Sequence, residues 1–201
     1  KERDYQFKNI LGNKAKIEIT HLSGVLRDKG LDLVIEFVYC LNKTEKLNAK
    51  FLLNIIGWKR HDLINMFPKL KFFVENLEDQ NLIKFHGLMG NKNNVYEILA
   101  SSHFNILLSK SEAQPLSLLE GAILGCYTIT NEVDFLDDLL NKIDGIINQS
   151  KVKILVEEFL QKITEIDSNF YELEKIKIRK KKILGNFSKK KFDFTMRKII
   201  D

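Results

Sequence analysis

The chain of 201 residues is poor in several features, and each shortage excludes something. Its two cysteines, Cys40 and Cys126, sit inside the apolar runs "FVYC" and "GCYTIT". Buried free thiols in a reducing compartment suit such positions, and a disulfide does not. No apolar run reaches the roughly 18 residues that a membrane span needs, and no signal peptide opens the chain. G-x-G-x-x-G and G-x-x-x-x-G-K-[ST] are both missing, which removes the main supports of a dinucleotide or P-loop reading. No Asp-x-Asp occurs, so a divalent-cation clamp on a diphosphate lacks its usual ligands. The four histidines, His21, His61, His86 and His103, form no metal spacing with a cysteine or with one another. They read as structural, with His86 also a candidate pocket lining beside Gly87. No metal and no cofactor is expected, and no Ser-His-Asp arrangement or nucleophile elbow is visible.

What is present describes a folded domain. Hydrophobic residues make up 44% and charged residues 29%, enough for a sizeable core. The net charge of +5 is unevenly placed. Residues 175–201 hold eleven Lys and Arg against two Asp, or +9, which leaves −4 for the rest. Such a tail suits either a solvated helical face or an anionic membrane surface. Nucleic acid is not expected, because Phe187, Phe192 and Phe194 are spaced for helix packing rather than base stacking. The first residue is Lys1 and not methionine, so an excised piece of something longer is expected.

Short apolar runs alternate with helical stretches throughout. Residues 16–22, 50–57, 82–87, 104–109, 126–130 and 144–148 read as strands. Residues 31–43, 61–77, 93–102, 116–125, 133–141 and 151–166 read as helices, with Pro68 kinking or dividing the second. This alternation predicts an α/β fold: one Rossmann-like, doubly wound domain with about six parallel strands and a helical carboxyl-terminal tail. The expected division is a linker remnant (1–15), the sheet domain (16–166) and basic helices packing back on it (167–201).

Doubly wound sheets bind ligands beyond the carboxyl ends of their strands, which singles out the turns 23–30, 57–60, 86–91, 109–115 and 131–134. In "SEAQPLSLLEGAILG" (111–125), Glu112 and Glu120 stand eight positions apart on either side of a helix start. The first-turn amides near Leu116 and Ser117 carry the positive end of the helix dipole and form a natural phosphate seat. Carboxylates repel phosphates, so two glutamates flanking that seat suit a ligand with hydroxyls at both ends and phosphates between. Spacing alone also suits ordinary solvent-facing glutamates. Arg27 and Lys29, in the first turn beside Gly24, become candidate diphosphate ligands when paired with that seat.

At these residues the chain resembles a known family. "FHGLMGNKNNVYEILASSHFNILLSKSEAQPLSLLEGAILGCYTIT" is similar to the donor-binding domain of retaining nucleotide-sugar glycosyltransferases of the two-Rossmann-domain (GT-B) fold, the large family 4 group. "GVLRDKGLDLVIEF" resembles the family's opening turn, "DGIINQSKVKILVEEFLQKI" its closing strand and helix, and "GNFSKKKFDFTMRKII" its final helix. The likeness covers roughly residues 16–200. It implies that Glu112 contacts donor-sugar hydroxyls and that Glu120 contacts the ribose. It further implies that Gln114, Pro115, Leu116 and Ser117 hold the sugar and distal phosphate. Lys29, with Arg27 replacing the family's arginine, would grip the diphosphate, and Gly87, Leu88 and Met89 would border the base. Ser23-Gly24 stands where the family has its arginine, and "E-A-Q-P" stands for its "E-G-F-G", so Pro115 removes one backbone donor.

The resemblance implies the donor half of a glycosyltransferase acting on a glycan or lipid-linked acceptor, as in lipopolysaccharide or capsule synthesis. The amino-terminal Rossmann domain that binds the acceptor has no counterpart here and is expected from the same or a separate chain. A cytoplasmic enzyme, peripheral at the inner membrane face through its basic tail, is expected. A non-catalytic partner subunit and a sugar-nucleotide epimerase are the alternatives.

Overall fold

A computed structural model describes residues 15–110, 112, 115–130 and 152–168 of the chain. Among the described residues, five parallel strands form the sheet: β1 (Ala15–Leu22), β2 (Ala49–Ile56), β3 (Ile83–Gly87), β4 (Phe104–Leu107) and β5 (Tyr127–Thr130). The α-helices described with them are α1 (Leu31–Lys43), α2 (Arg60–Met66), α3 (Lys71–Asp79), α4 (Lys92–Ser101), α5 (Leu116–Ile123) and α6 (Val152–Ser168). The strand order is β3-β2-β1-β4-β5. The chain therefore builds outward from β1 on one side, then returns to add β4 and β5 on the other. That reversal opens a crevice between the carboxyl ends of β1 and β4, where such sheets bind ligands.

Burial on both faces explains the unbroken apolar strands. In β2, every residue from Phe51 to Ile56 is buried. One face packs Ile17, Ile19 and Leu53 against Val34, Ile35 and Val38 of α1. Helix α6 joins the same core through Phe159, whose ring meets those of Phe37, Phe51 and Phe104 edge-on at centroid distances of 5.4, 5.8 and 5.1 Å. On the other face Ile56 packs with Val95, Tyr96 and Leu99 of α4. Helices on both faces are what the continuous apolar pattern requires.

Several expected boundaries move for identifiable reasons. The helix expected over 61–77 is divided into α2, a 3₁₀ turn (Pro68–Leu70) and α3, because Pro68 has no amide hydrogen to continue the ladder. Strand pairing expected to residue 109 ends at Leu107. Ser109 Oγ and the Lys110 amide instead both donate to the Asp28 carbonyl at 2.9 Å, tying the fourth sheet-edge turn to the first. A 3₁₀ turn at Arg27–Lys29, unannounced by the sequence, precedes α1. Asn91, two positions before the expected helix start, caps α4, its side chain accepting from the Asn93 amide. The helix expected at 133–141, the strand at 144–148, nearly all of the 1–15 linker and the segments after 168 lie outside the described residues.

Candidate functional site

A cavity of about 410 Å³ lies at the carboxyl ends of β1 and β4. Its floor comes from Leu22, Ser23 and Gly24 at the end of β1, with Leu107 of β4. One wall is the start of α5, Pro115 to Ser117, with Glu120 one turn further in. The opposite wall is α4 and its entry, bringing Met89, Lys92, Val95 and Tyr96, while Lys29 and Glu112 close the rim. The volume falls in the range of small-molecule sites.

Local structure explains these placements. Gly30, at φ +67°, ends the 3₁₀ turn that carries Lys29 and starts α1. A Cβ there would run into the Leu108 carbonyl oxygen, so only glycine lets β4 pass this close to the turn. The opening of α5 is held from below by Asn105 of β4, whose Nδ2 donates to the Ser117 carbonyl at 2.6 Å. Gly121, one turn on, leaves the room that the Asn105 side chain fills, and a Cβ there would collide with Nδ2. Pro115 occupies the N-cap position without a side-chain cap. The amides of Leu116 and Ser117 have no intrahelical acceptor, which leaves the positive end of the helix facing the cavity.

The electrostatics are mixed. Lys29 Nζ sits 2.7 Å from Glu112 Oε1, with the Glu112 side chain 8% exposed and that of Lys29 25% exposed. Burial raises the Glu120 carboxyl above its usual value, opposed by the nearby Lys92 charge and by a hydrogen bond from Tyr96. That bond runs from the Tyr96 hydroxyl to Glu120 Oε1 at 3.4 Å. Burial first, then the Glu120 charge, pushes the Tyr96 phenol up to about 12. Beneath the floor, His21 is fully buried, and desolvation lowers it to about 4 despite the hydrogen bond to the Ile106 carbonyl. Among the described residues no group of three or more His, Cys, Asp or Glu is placed to hold a metal ion. None of the described helices is long and apolar enough to cross a membrane.

The cavity brings together Lys29, Met89, Glu112, Pro115, Leu116, Ser117 and Glu120 of the residues singled out from the sequence. Gln114 lies outside the described residues. Arg27 is not among the lining residues; its guanidinium lies over the Phe67 ring, 5.3 Å from the centroid. Gly87 at φ +64° turns the chain after β3, its amide donating to the Trp58 carbonyl at 3.1 Å, and Leu88 projects outward, 87% exposed. His86 is half-buried and bonded to Asn54 Oδ1 at 3.1 Å, away from the cavity. Sequence reasoning missed Lys92 and Tyr96. Both lie on one face of α4, but nothing in their spacing says which strand end that face overlooks.

A family model described as "Glycosyl transferases group 1" matches residues 2–182. No curated protein matches the chain. Among solved structures, a point mutant of S. aureus TarM in complex with fondaparinux, alpha-GlcNAc-glycerol and UDP is similar with a TM-score of 0.66 at 18% identity, over 86% of this chain and 33% of that one. The pneumococcal O-GlcNAc transferase GtfA, in complex with UDP and GlcNAc, gives 0.65 at 15% identity, over 92% of this chain and 36% of that one. WaaG, a glycosyltransferase involved in lipopolysaccharide biosynthesis, gives 0.64 at 18% identity, over 90% and 48%. These likenesses establish the fold. The chain spans about a third to a half of the length of these three proteins.

Proposed function

The chain belongs to the glycosyl transferases of group 1, and from that premise we propose that it is the nucleotide-sugar donor half of a GT-B enzyme. The sugar passes from a nucleoside-diphosphate sugar to a hydroxyl of a glycan or lipid-linked acceptor. One observation carries this reading: the crevice at the strand-order reversal gathers two glutamates, two lysines and an uncapped helix start into one cavity of about 410 Å³. Cations and helix amides suit the phosphates. Carboxylates on either side suit the hydroxyls of sugar and ribose.

In this reading Glu112 orients the donor sugar, Glu120 accepts from the ribose, and the Gly87–Met89 turn borders the base. Lys29 and the α5 amides receive the charge that develops as the bond from anomeric carbon to phosphate oxygen breaks and its electron pair leaves with the diphosphate. The acceptor oxygen bonds to that carbon and gives up its proton to the departing diphosphate oxygen. Arg27 joins the grip only by leaving Phe67. The reading invokes no metal, and retention of configuration follows the family likeness. An amino-terminal Rossmann domain, in the same or a separate chain, holds the acceptor across the cleft. We place the enzyme in the cytoplasm, at the inner membrane face, with the basic segment 175–201 on anionic lipid, each cation contributing about 1 kcal/mol.

Calorimetric titration with a panel of nucleotide sugars tests the donor role. Absence of binding by every member, with the amino-terminal domain restored, contradicts it. A non-catalytic partner subunit is a second reading, favoured by Gly24 standing where the family has a cation and by Lys29 being tied to Glu112. Unchanged activity of Glu112→Ala in the full-length protein would support that reading.

A further inference from the structure

In the cleft floor, Ser23 is the centre of a polar network that joins it to two buried side chains. Its Oγ lies 2.8 Å from His21 Nε2 and 3.1 Å from Trp58 Nε1. His21 and Trp58 are both buried, whereas Ser23 lines the cavity. The other imidazole nitrogen, His21 Nδ1, faces the Ile106 carbonyl oxygen at 3.1 Å. A carbonyl oxygen only accepts, so Nδ1 carries the imidazole proton and Nε2 is left as an acceptor. Ser23 must then donate its own proton to Nε2, a shorter contact than the 3.2 Å approach to the Gly24 carbonyl. Indole N–H is a donor only, so Trp58 occupies one Ser23 lone pair. The second lone pair is what Ser23 can offer to the cavity.

Backbone contacts hold this geometry in place. The Ser23 amide donates to the Ile56 carbonyl at 3.3 Å, and Gly57 packs so closely that a Cβ there would collide with the Ser23 carbonyl oxygen. Gly57 in turn donates to the Gly87 carbonyl at 2.7 Å. Three ligand-edge turns are thereby joined around one serine.

We propose that Ser23 is a specificity residue of the cleft: oriented by His21 and Trp58, it accepts a hydrogen bond from a ligand hydroxyl and has no proton to give a phosphate. The inference rests on the donor-site reading and deepens it. Phosphate oxygens at neutral pH are acceptors, and an acceptor facing them gains nothing. Gly24 beside Ser23 adds no cation, which agrees with an uncharged part of the ligand at this end. The hydroxyl belongs either to the donor sugar or to the glycan acceptor.

The test uses the full-length protein with UDP, ADP and GDP, their hexose conjugates, and the acceptor in a kinetic arm. Ser23→Ala should leave the affinity for the free nucleoside diphosphate within about twofold. It should weaken either the hexose conjugate's affinity or the KM for acceptor by roughly fivefold, the ordinary worth of one neutral hydrogen bond. The first loss assigns the hydroxyl to the donor sugar, the second to the acceptor. His21→Gln, which keeps an acceptor for the Ser23 proton, should retain the wild-type ratio of conjugate to free nucleotide affinity. A fall in free nucleotide affinity in Ser23→Ala would place Ser23 on the phosphates or the ribose, not on the sugar or the acceptor, and overturn the proposal. Unchanged conjugate affinity together with unchanged acceptor KM would overturn it equally. Should the wild type bind no nucleoside diphosphate at all, the donor-site reading fails first and takes this inference with it.

Discussion

Lys29 Nζ and Glu112 Oε1 lie 2.7 Å apart, joining the turn after β1 to the turn after β4 across 83 positions of sequence. The two groups proposed to hold the diphosphate and the sugar therefore neutralise each other across the cleft. In the proposed donor site, a diphosphate that captures Lys29 would release Glu112 to the sugar hydroxyls. Lys29→Ala should weaken nucleoside-diphosphate affinity roughly 10- to 100-fold, as expected for losing a charge-assisted hydrogen bond. Glu112→Ala should leave that affinity at or above wild type while lowering turnover roughly 100-fold, as for a transition-state contact. Calorimetry and steady-state kinetics on the two variants separate the effects.

The buried His21 predicts an acid-sensitive fold. Its folded value of about 4 lies below the unfolded value of 6.5, so the unfolded chain binds more protons between them. Stability is then fully present above pH 6.5 and is lost as pH falls toward 4. The loss from this group is about 3 kcal/mol. Urea unfolding across roughly pH 4–7 should show this slope, and His21→Gln should flatten it. A slope unchanged in the variant would assign the acid sensitivity to other groups.

Gly30→Ala should destabilise the domain by roughly 3 kcal/mol, combining left-handed backbone strain with overpacking against the Leu108 carbonyl. The φ of +67° and the close approach of that carbonyl both argue for this. A chemical-denaturation midpoint equal to wild type would mean that the turn relaxes freely. The Lys29–Glu112 pair would then lose its structural support.

Tyr96→Phe removes the hydroxyl that donates to Glu120 Oε1. Burial already raises the Glu120 carboxyl, and this bond opposes the rise, so the variant should raise it further. Protonated Glu120 is a poorer acceptor for a ribose hydroxyl. Nucleoside-diphosphate affinity should accordingly fade at a higher pH in Tyr96→Phe than in wild type, on the acid side of neutrality. The 2′-deoxy analogue should show no such difference, and an equal effect on both nucleotides would exclude Glu120 as the ribose acceptor.

Much of this architecture was legible because its causes are local. The β-branched run at 16–22 and the apolar run at 50–57, with the helical spacing of Val34, Ile35 and Val38, mark strands and helix without tertiary information. Pro68 announced a break. Glu112, Glu120 and the start of α5 could be grouped because strand-to-helix turns in parallel sheets share one edge. What stayed hidden depends on register between distant elements. Lys92 and Tyr96 face the cavity only because α4 packs beside β1, and Arg27 lies over the Phe67 ring rather than along the cavity. The His21–Ser23–Trp58 network joins the end of β1 to the turn after β2, and a histidine inside "KIEITHL" gives no sign of its partners.

The central claim is that the crevice between β1 and β4 binds the nucleoside-diphosphate part of a sugar donor. Titration of the protein joined to the proposed amino-terminal domain with UDP, ADP and GDP, repeated on Lys29→Ala and Glu120→Ala, tests it most directly. The account predicts saturable one-site binding of at least one nucleotide, weakened roughly tenfold or more in Lys29→Ala. In Glu120→Ala, discrimination between ribose and 2′-deoxyribose should also be lost. Wild-type affinity in both variants, or no binding of any nucleotide to the wild type, would contradict it.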